Sequence, residues 1–253
     1  MSLALRFLGV GGAQAVELGS SNAVLERDGA PLLTIDCGPE GLTAFLDAYR
    51  TIPSALFITH AHLDHVGGLE RLFYRAYFDP QRRARVRLYL PLGVIGVVHD
   101  RLATYPNAIA EGSGNFWDAF QLIPVQRGFW HEGMWFDVFP VRHHAPGSAC
   151  GLGLRGSFVW TGDTRPIPEA LAHYGRGDEL IAHDCALRGN PSHTGVDELE
   201  RDYPAELRRR FVLYHYGSAA DGETLRSRGH RVAHAGESFA LADHEPAADA
   251  GRG

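Results

Sequence analysis

The most constraining feature of the sequence is a run of metal-capable side chains that directly follows an apolar segment. The stretch from Thr59 to Gly68 reads THAHLDHVGG, so four such side chains fall within six consecutive residues. The preceding residues, Ala55 to Ile58, are all apolar and predict a buried strand. A chain with this run is expected to fold so that the strand ends at an open edge, where the donor side chains converge.

The spacing within the run predicts two neighbouring cation sites. Alternate residues of an extended segment point to the same side, so His60 and His62 are expected to bind one cation together. Asp64 and His65 lie past the turn and are expected to bind a second cation beside the first. A single histidine is more often a hydrogen-bonded core or surface residue than a ligand, but four donors in so short a run favour a metal site.

Composition excludes several other classes of protein. A chain of 253 residues with 45% hydrophobic residues can bury a substantial core. The net charge of -6 gives no general attraction to nucleic acid or to an anionic membrane. No apolar stretch approaches the ~18 residues of a membrane span, and the first residues lack a signal peptide, so a cytoplasmic protein is expected. The three cysteines, Cys37, Cys150 and Cys185, form no CxxC pair and are expected to be reduced and buried.

The apolar pattern predicts strands and helices that alternate after an opening β-meander. Strands are predicted at 3–9, 23–27, 32–36, 55–59, 86–90, 134–141, 157–161 and 211–214, and helices at 39–49, from 64 to about 76, and from 196 towards 203. Residues 91–129 are the least regular and are expected to form the rim or lid of the site. Residues 243–253 have no apolar period and predict a disordered tail, which leaves a single domain over residues 1–242.

Three of the later strands end in further candidate ligands. His143 follows the strand at 134–141, Asp163 follows the strand at 157–161, and His215 follows the strand at 211–214. Strands hold side chains rigidly while the loops vary, which is how a scaffold gathers ligands from distant parts of a chain. Each residue also has an ordinary interpretation: Asp163 as an Asx turn, and His215 as a buried histidine between two tyrosines.

The order of these pieces resembles the metallo-β-lactamase superfamily over nearly the whole chain. Besides HxHxDH, the chain has the opening LGVGGAQ, the turn Ile35-Asp36-Cys37-Gly38 and the loop Thr161-Gly162-Asp163-Thr164. The resemblance implies a four-layer αββα sandwich of the α/β (α+β) class with a binuclear metal site at one edge. The implied ligands are His60, His62 and His143 for the first cation, Asp64, His65 and His215 for the second, and Asp163 as the bridging carboxylate.

The third histidine ligand is ambiguous, because His143 and His144 are adjacent and a strand sends them to opposite faces. Val141 and His143 share parity, and the family's hydrophobic-x-His ending matches Val141-Arg142-His143. We therefore favour His143 and expect His144 to contact the substrate or to support a ligand. Asp36 is expected to support the site as well.

Within the superfamily, the chain most resembles the phosphodiesterase branch, which contains tRNA 3′-processing endonucleases and the phosphodiesterase of phosphonate-degradation operons. Asp184 and His193 resemble that branch's acidic residue and auxiliary histidine, which help to protonate the leaving group. His193 has an alternative role as a cap of the helix beginning at Val196. Only 19 residues separate His143 from Asp163, which leaves no room there for a long tRNA-binding arm. The cysteine cluster of the phosphonate-operon enzyme is absent from the sequence.

These features predict a metal-dependent hydrolase that uses a hydroxide held between two divalent cations, most simply Zn²⁺, with Mn²⁺ or Fe²⁺ as alternatives. The expected substrate is a small nucleotide or cyclic phosphate. Asp64 would ligate and orient the nucleophile, His193 would act as general acid, and Asp184 would fix its tautomer. Arg142 and Arg165 are expected either to bind phosphate or to form exposed structural pairs.

Two alternative functions stay open at this point. Carboxylic esters, lactones or thioesters could be hydrolysed on the same centre, because the same nucleophile attacks either electrophile. A non-catalytic binding protein that keeps the fold is a further alternative. A small-molecule partner is expected, with no membrane partner, and a homodimer is left open.

Overall fold

Two β-sheets with helices packed on them make up the fold in a computed structural model, which describes residues 2–103, 108–109 and 112–242. The strands are β1 (Leu3–Gly9), β2 (Asn22–Arg27), β3 (Ala30–Ile35), β4 (Ala55–Phe57), β5 (Val86–Pro91), β6 (Ala108–Ile109), β7 (Gly112–Ser113), β8 (Phe120–Val125), β9 (Gly128–His131), β10 (Met134–Pro140), β11 (Cys150–Leu154), β12 (Phe158–Trp160), β13 (Leu180–Asp184), β14 (Phe211–Tyr214) and β15 (Ser238–Ala240). The α-helices are α1 (Pro39–Tyr49), α2 (Leu63–Val66), α3 (Leu69–Tyr77), α4 (Leu92–Val98), α5 (Pro168–Tyr174), α6 (Val196–Asp202), α7 (Ala205–Arg208) and α8 (Ala219–Ser227).

The two large sheets are both mixed. The first has the strand order β15-β1-β2-β3-β4-β5-β8, in which the β3/β4, β4/β5 and β5/β8 pairs are parallel. The second has the order β14-β13-β12-β11-β10-β9, with parallel pairs at β12/β13 and β13/β14. Because parallel strands need crossover connections, helices are carried to the sheet faces, and the result is the predicted sandwich.

Alternation along β4 shows how the layers form. Phe57 belongs to the core between the sheets, whereas Leu56 and the following Ile58 belong to a second core together with α3. All three side chains are fully buried. Successive strand residues point to opposite faces, so this one strand ties the inter-sheet core to the helix layer. The strand that precedes the metal-capable run is therefore held rigidly from both sides.

Most of the predicted elements are confirmed. Helix α1 has the predicted bounds, and β1, β2, β3, β5, β10, β12 and β14 lie within two residues of their predicted ends. The helix predicted from residue 64 onwards is instead two helices, α2 and α3, separated by Gly67 and Gly68. A Cβ on Gly68 would lie only 2.6 Å from the Gly38 carbonyl oxygen, so the break lets this turn pack closely against the loop after β3.

Residues 91–129 were predicted to be the least regular part of the chain, but much of the described part of this stretch is regular, and its role as the rim or lid of the site stays a prediction. It contains α4, β8 and the start of β9, together with a π-helical segment at His99–Ala103 and a 3₁₀ helix at Phe116–Ala119. Strand β8 lies at the edge of its sheet and includes Pro124, which an edge strand tolerates because one side of it needs no ladder hydrogen bond. The expected tail, residues 243–253, lies outside the described residues.

Two further expectations concern cysteines and membranes. Cys37, Cys150 and Cys185 are free and buried, as predicted. Burial raises the pKa of the Cys150 thiol to about 11, so it stays protonated at neutral pH. In the part of the chain that the structure describes, no helix has the length and apolar character needed to cross a membrane.

Candidate metal centre

The predicted ligands come together although they lie far apart in the sequence. In two groups, the ligand atoms all lie within 4.8 Å of one another: His60, His62, His143 and Asp163 in the first, and Asp64, His65, Asp163 and His215 in the second. The residues come from the segments that follow β4, β10, β12 and β14. Asp163 is common to both groups, which is the position expected of a bridging carboxylate.

One carboxylate oxygen lies at the middle of the cluster. Asp163 Oδ2 is 3.2 Å from His215 Nε2, 3.3 Å from His65 Nε2, 3.6 Å from His60 Nε2 and 3.8 Å from His143 Nε2. All of these residues are buried. Four imidazole nitrogens around one buried carboxylate oxygen form a set of donors that N- and O-preferring divalent cations accept.

Hydrogen bonding supports the fit of this site to a cation. Within the described residues, His60 Nε2, His65 Nε2, His215 Nε2 and both carboxylate oxygens of Asp163 are buried without a hydrogen-bond partner. A buried polar atom left without a partner costs about 1–3 kcal/mol, so several such atoms facing one another require compensation. A divalent cation would compensate all of them, and the donor set therefore fits one.

Asp36 fixes the orientation of His65 from behind. Its carboxylate accepts hydrogen bonds from the Thr59 backbone N–H at 2.7 Å and from His65 Nδ1 at 2.8 Å. The proton of His65 is therefore held on Nδ1, which leaves Nε2 free to face Asp163. Asp36 is fully buried and has a left-handed backbone with φ 64°, an uncommon conformation for a non-glycine residue.

Hydrogen bonds to two other histidines orient them in the same way. His60 Nδ1 donates to the Thr59 hydroxyl at 3.0 Å, and that hydroxyl in turn donates to Asp36 at 2.8 Å. His143 Nδ1 donates to the Ser192 carbonyl oxygen at 2.9 Å. In both cases the proton lies on Nδ1, and Nε2 is turned towards Asp163.

The adjacent histidines take different places. His143 Nε2 lies 3.3 Å from His62 Nδ1 and belongs to the first ligand group. His144 Nε2 lies 2.8 Å from the other nitrogen of the same ring, His62 Nε2. His143 thus has the position predicted for the ligand, whereas a role of His144 in supporting His62 stays a prediction.

Asp184 connects the auxiliary histidine to the second ligand group. Its Oδ2 accepts hydrogen bonds from His193 Nδ1 at 2.9 Å and from the Thr164 backbone N–H at 2.8 Å. Its Oδ1 lies 3.5 Å from His215 Nδ1. The rings of His193 and His215 stack at 4.7 Å between centroids, so both predicted residues lie at the edge of the cluster.

Burial and charge shift the histidine pKa values in opposite directions. Burial, together with the neighbouring His143, lowers the pKa of His62 to about 4. Burial also acts to lower the pKa of His215, but the carboxylates of Asp163 and Asp184 outweigh it and raise that pKa to about 10. His62 is therefore neutral at pH 7, as a metal ligand must be. His215 is protonated because the two carboxylates attract its positive charge, and a bound cation would have to take the place of that proton.

The two arginines beside the metal loops have protein partners. Arg142 donates to the Pro166 carbonyl oxygen and pairs with Glu169, each at 2.8 Å. Arg165 is exposed, and its Nε donates to the Arg142 carbonyl oxygen at 3.4 Å. Structural pairing accounts for Arg142, and a role of either residue in phosphate binding stays a prediction.

Sequence reasoning missed some residues that support the site. Thr59 joins His60 to Asp36, and a hydroxyl residue directly before the first histidine was an available signal. Ser192 acts through its backbone oxygen, which leaves no mark in the sequence. Gly12 lies against the ring of His215, since a Cβ there would be 3.3 Å from Cε1. The opening Gly-rich loop was recognised, but its contact was not predicted.

Comparisons with known proteins agree with this architecture. Residues 3–239 match the family model described as Anti-Pycsar protein Apyc1. An Anti-Pycsar protein Apyc1 from Saccharibacillus brassicae is 31% identical over 223 residues, which cover 84% of this chain and 89% of that protein.

Solved structures show the same fold at low sequence identity. A diphosphatase of the PhnP family has a TM-score of 0.73 at 18% identity and covers 94% of this chain and 97% of its own. The short form of human tRNase Z has a TM-score of 0.61 at 20% identity, with 93% and 98% covered. The predicted resemblance to the metallo-β-lactamase superfamily is confirmed, and the family match over nearly the whole length shows that the chain belongs to the Anti-Pycsar protein Apyc1 family.

Proposed function

We propose that the protein is a binuclear metal-dependent phosphodiesterase that hydrolyses small cyclic nucleotides. The observation that carries the proposal is the position of Asp163 between two histidine-rich groups of ligand atoms. The family name, Anti-Pycsar protein, suggests degradation of cyclic nucleotides, which agrees with this substrate class. Two divalent cations, most simply Zn²⁺, would supply Lewis acidity that lowers the pKa of water and neutralises charge developing on phosphoryl oxygens.

The ligand residues would divide into one set for each cation, with one residue shared. His60, His62 and His143 would hold one cation, Asp64, His65 and His215 the other, and Asp163 would bridge the two. Asp64 Oδ2 lies 3.4 Å from His65 Nε2 and 3.7 Å from His215 Nε2, and its side chain remains 13% exposed. Asp64 is thus the carboxylate that can both ligate and accept a hydrogen bond from an attacking water.

His193 would protonate the leaving oxygen. Hydrolysis of a cyclic phosphate forms a bond between phosphorus and the water oxygen and breaks a bond between phosphorus and a ribose oxygen, which must gain a proton. Asp184 holds one proton on His193 Nδ1, so Nε2 is the nitrogen that can donate another. Burial acts to lower the pKa of His193, but the hydrogen bond to Asp184 together with the negative charges of Asp184 and Asp163 raises it overall. The raised pKa favours the protonated form that a general acid requires.

The experiment is a substrate panel on protein reconstituted with Zn²⁺ or Mn²⁺. The panel contains 3′,5′-cyclic nucleotides, bis-nitrophenyl phosphate, a lactone and a thioester. We expect hydrolysis of the two phosphodiester classes and loss of that activity in Asp64→Ala. Glu223→Ala serves as the matched control, because Glu223 is exposed and pairs with Arg226 on the same helix.

Each alternative predicts a different result. Turnover of the lactone or thioester without turnover of phosphodiesters would replace the proposal by an ester hydrolase. Metal analysis that finds no bound cation would favour a non-catalytic binding protein. Full activity in Asp64→Ala would contradict the assigned mechanism.

A further inference from the structure

A charged cleft lies at the other end of β4 from the metal centre. A cleft of about 440 Å³ is lined by the residues around the ends of α1 and α3: Leu46, Arg50, Thr51, Ile52, Arg75, Asp79 and Arg82. Thr51 and Ile52 precede β4, whereas the metal-capable run follows it. The cleft and the metal centre therefore lie at opposite ends of the same strand. Its volume is within the range of about 300–1,000 Å³ that small-molecule sites occupy.

The lining of the cleft is cationic although the protein is anionic. Three guanidinium groups face one carboxylate there, which gives the lining a net charge of +2 against -6 for the whole chain. Residues 70–85 carry five arginines and two acidic residues. Asp79, the one carboxylate of the lining, is already engaged, since it accepts the Gln81 backbone N–H at 2.8 Å.

The arginines of the cleft keep donors free for a ligand. Arg75 and Arg82 form no ion pair with any carboxylate among the described residues, and the pair between Arg50 and Asp47 is long, at 3.8 Å, and exposed. Arg82 Nη2 donates to the Thr51 hydroxyl at 3.0 Å, which fixes that guanidinium group and leaves its other N–H groups free. Other arginines of this protein are neutralised by nearby carboxylates, as in the pair of Arg228 with Glu200 at 2.6 Å.

Two apolar side chains also line the cleft. Leu46 and Ile52 are half-buried and pack on the core beneath α3. Guanidinium groups match the planar, bidentate geometry of phosphate oxygens, whereas a lone carboxylate ligand would engage fewer of these donors.

We propose that this cleft is a second ligand site, which binds a compact phosphate dianion. The phosphate is either inorganic phosphate or the phosphate monoester of a mononucleotide, which share the group that the arginines recognise. The site is independent of the metal centre and of the reaction proposed for it. Arg75 also lies in the last turn of α3, where a cation stabilises the helix dipole, so the two roles need to be separated by experiment.

The test is a titration of the metal-loaded protein with inorganic phosphate and with adenosine 5′-monophosphate, followed by NMR of the arginine Nε–Hε groups. We expect the signals of Arg50, Arg75 and Arg82 to shift together, and the affinity to fall as salt is added. Arg75→Ala should weaken binding about tenfold, because a charge-assisted pair is lost. Arg85→Ala is the matched control, since Arg85 is an exposed arginine of the same segment that does not line the cleft.

Several outcomes decide the proposal. Tighter binding of the nucleotide than of phosphate would identify a mononucleotide site, and equal binding would identify a phosphate site. Shifts confined to the metal-centre histidines, or equal weakening in Arg75→Ala and Arg85→Ala, would overturn it. A loss of stability in Arg75→Ala without any phosphate-dependent shift in the wild type would leave only the helix-dipole role. Arg82→Lys keeps the charge but loses the planar group, and it should bind phosphate more weakly than the wild type.

Discussion

Replacing Asp36 by asparagine tests whether the buried carboxylate behind the ligands controls the metal centre. Asp36 accepts hydrogen bonds from the Thr59 N–H on Oδ1, and from the Thr59 hydroxyl and His65 Nδ1 on Oδ2. Asparagine has nearly the same shape but offers an NH₂ group in place of one oxygen. If that group faces Thr59, a buried N–H loses its acceptor, which costs about 1–3 kcal/mol. If it faces His65, the proton of the imidazole must move to Nε2, and that nitrogen can no longer bind a cation.

Either orientation weakens the centre, and mutation of residues that orient metal ligands typically costs about 10–100-fold in metal affinity or activity. We therefore expect Asp36→Asn to lose about tenfold or more in affinity for the second cation, measured by equilibrium dialysis with elemental analysis. The first group, which contains His60, should be less affected. Asp197→Asn is the control, because Asp197 is exposed and its pair with Arg228 is solvated. Unchanged affinity and unchanged stoichiometry in Asp36→Asn would refute the reasoning.

Three more predictions follow from the same contacts. His193→Ala should lower kcat for cyclic nucleotides by about 10²–10⁴, because their ribose oxygen is a poor leaving group that needs a proton. The same change should lower kcat for nitrophenyl esters much less. Equal slowing of both substrates would contradict an acid role. Chelation of divalent cations should lower Tm in calorimetry, since a cation present at about 100 times its Kd adds about 2.7 kcal/mol to the free energy of unfolding. An unchanged Tm would argue against a buried metal site. Tyr203→Phe should lower the free energy of unfolding, measured in urea, by about 1–3 kcal/mol, because the Tyr203 hydroxyl accepts the buried Ile167 N–H at 2.6 Å. A smaller loss would mean that water replaces the hydroxyl as the acceptor.

The fold was predictable where the apolar pattern of a segment already reflects how that segment is buried in the folded protein. Strand β4 is a continuous apolar run because both of its faces are covered, and such a run is recognisable without any partner in view. Strand β8 is different, because it lies at a sheet edge and is only partly buried. Phe120 and Val125 are buried, whereas Gln121 and Pro124 are exposed. Its sequence carries neither a continuous apolar run nor strict alternation. Its place in the sheet comes from pairing with β5, which is a long-range interaction.

The site shows the same division between local and long-range information. The run from His60 to His65 is local, and its spacing alone predicted ligands. The choice of His143 over His144 used strand alternation, yet β10 ends at Pro140, and both histidines lie in the following loop. His143 Nε2 lies 3.8 Å from Asp163 Oδ2, and its Nδ1 donates to the Ser192 carbonyl oxygen, 49 residues further along the chain. A contact of that kind depends on where two loops meet at the sheet edge, and a backbone oxygen leaves no trace in the identity of its residue.

Two residues of the site, His215 and Asp36, have strained backbones. His215 and Asp36 both have left-handed backbones, with φ 67° and φ 64°, directly after β14 and β3. A non-glycine residue in this region is disfavoured, and it persists only where surrounding contacts determine it. For His215 those contacts include its own N–H bonded to the Val10 carbonyl oxygen at 2.7 Å, and the close approach of Gly12 to its ring. The left-handed backbone turns the His215 side chain into the cluster and the Asp36 side chain towards His65 Nδ1, so stability is lost at two positions where the geometry of a donor nitrogen must be fixed.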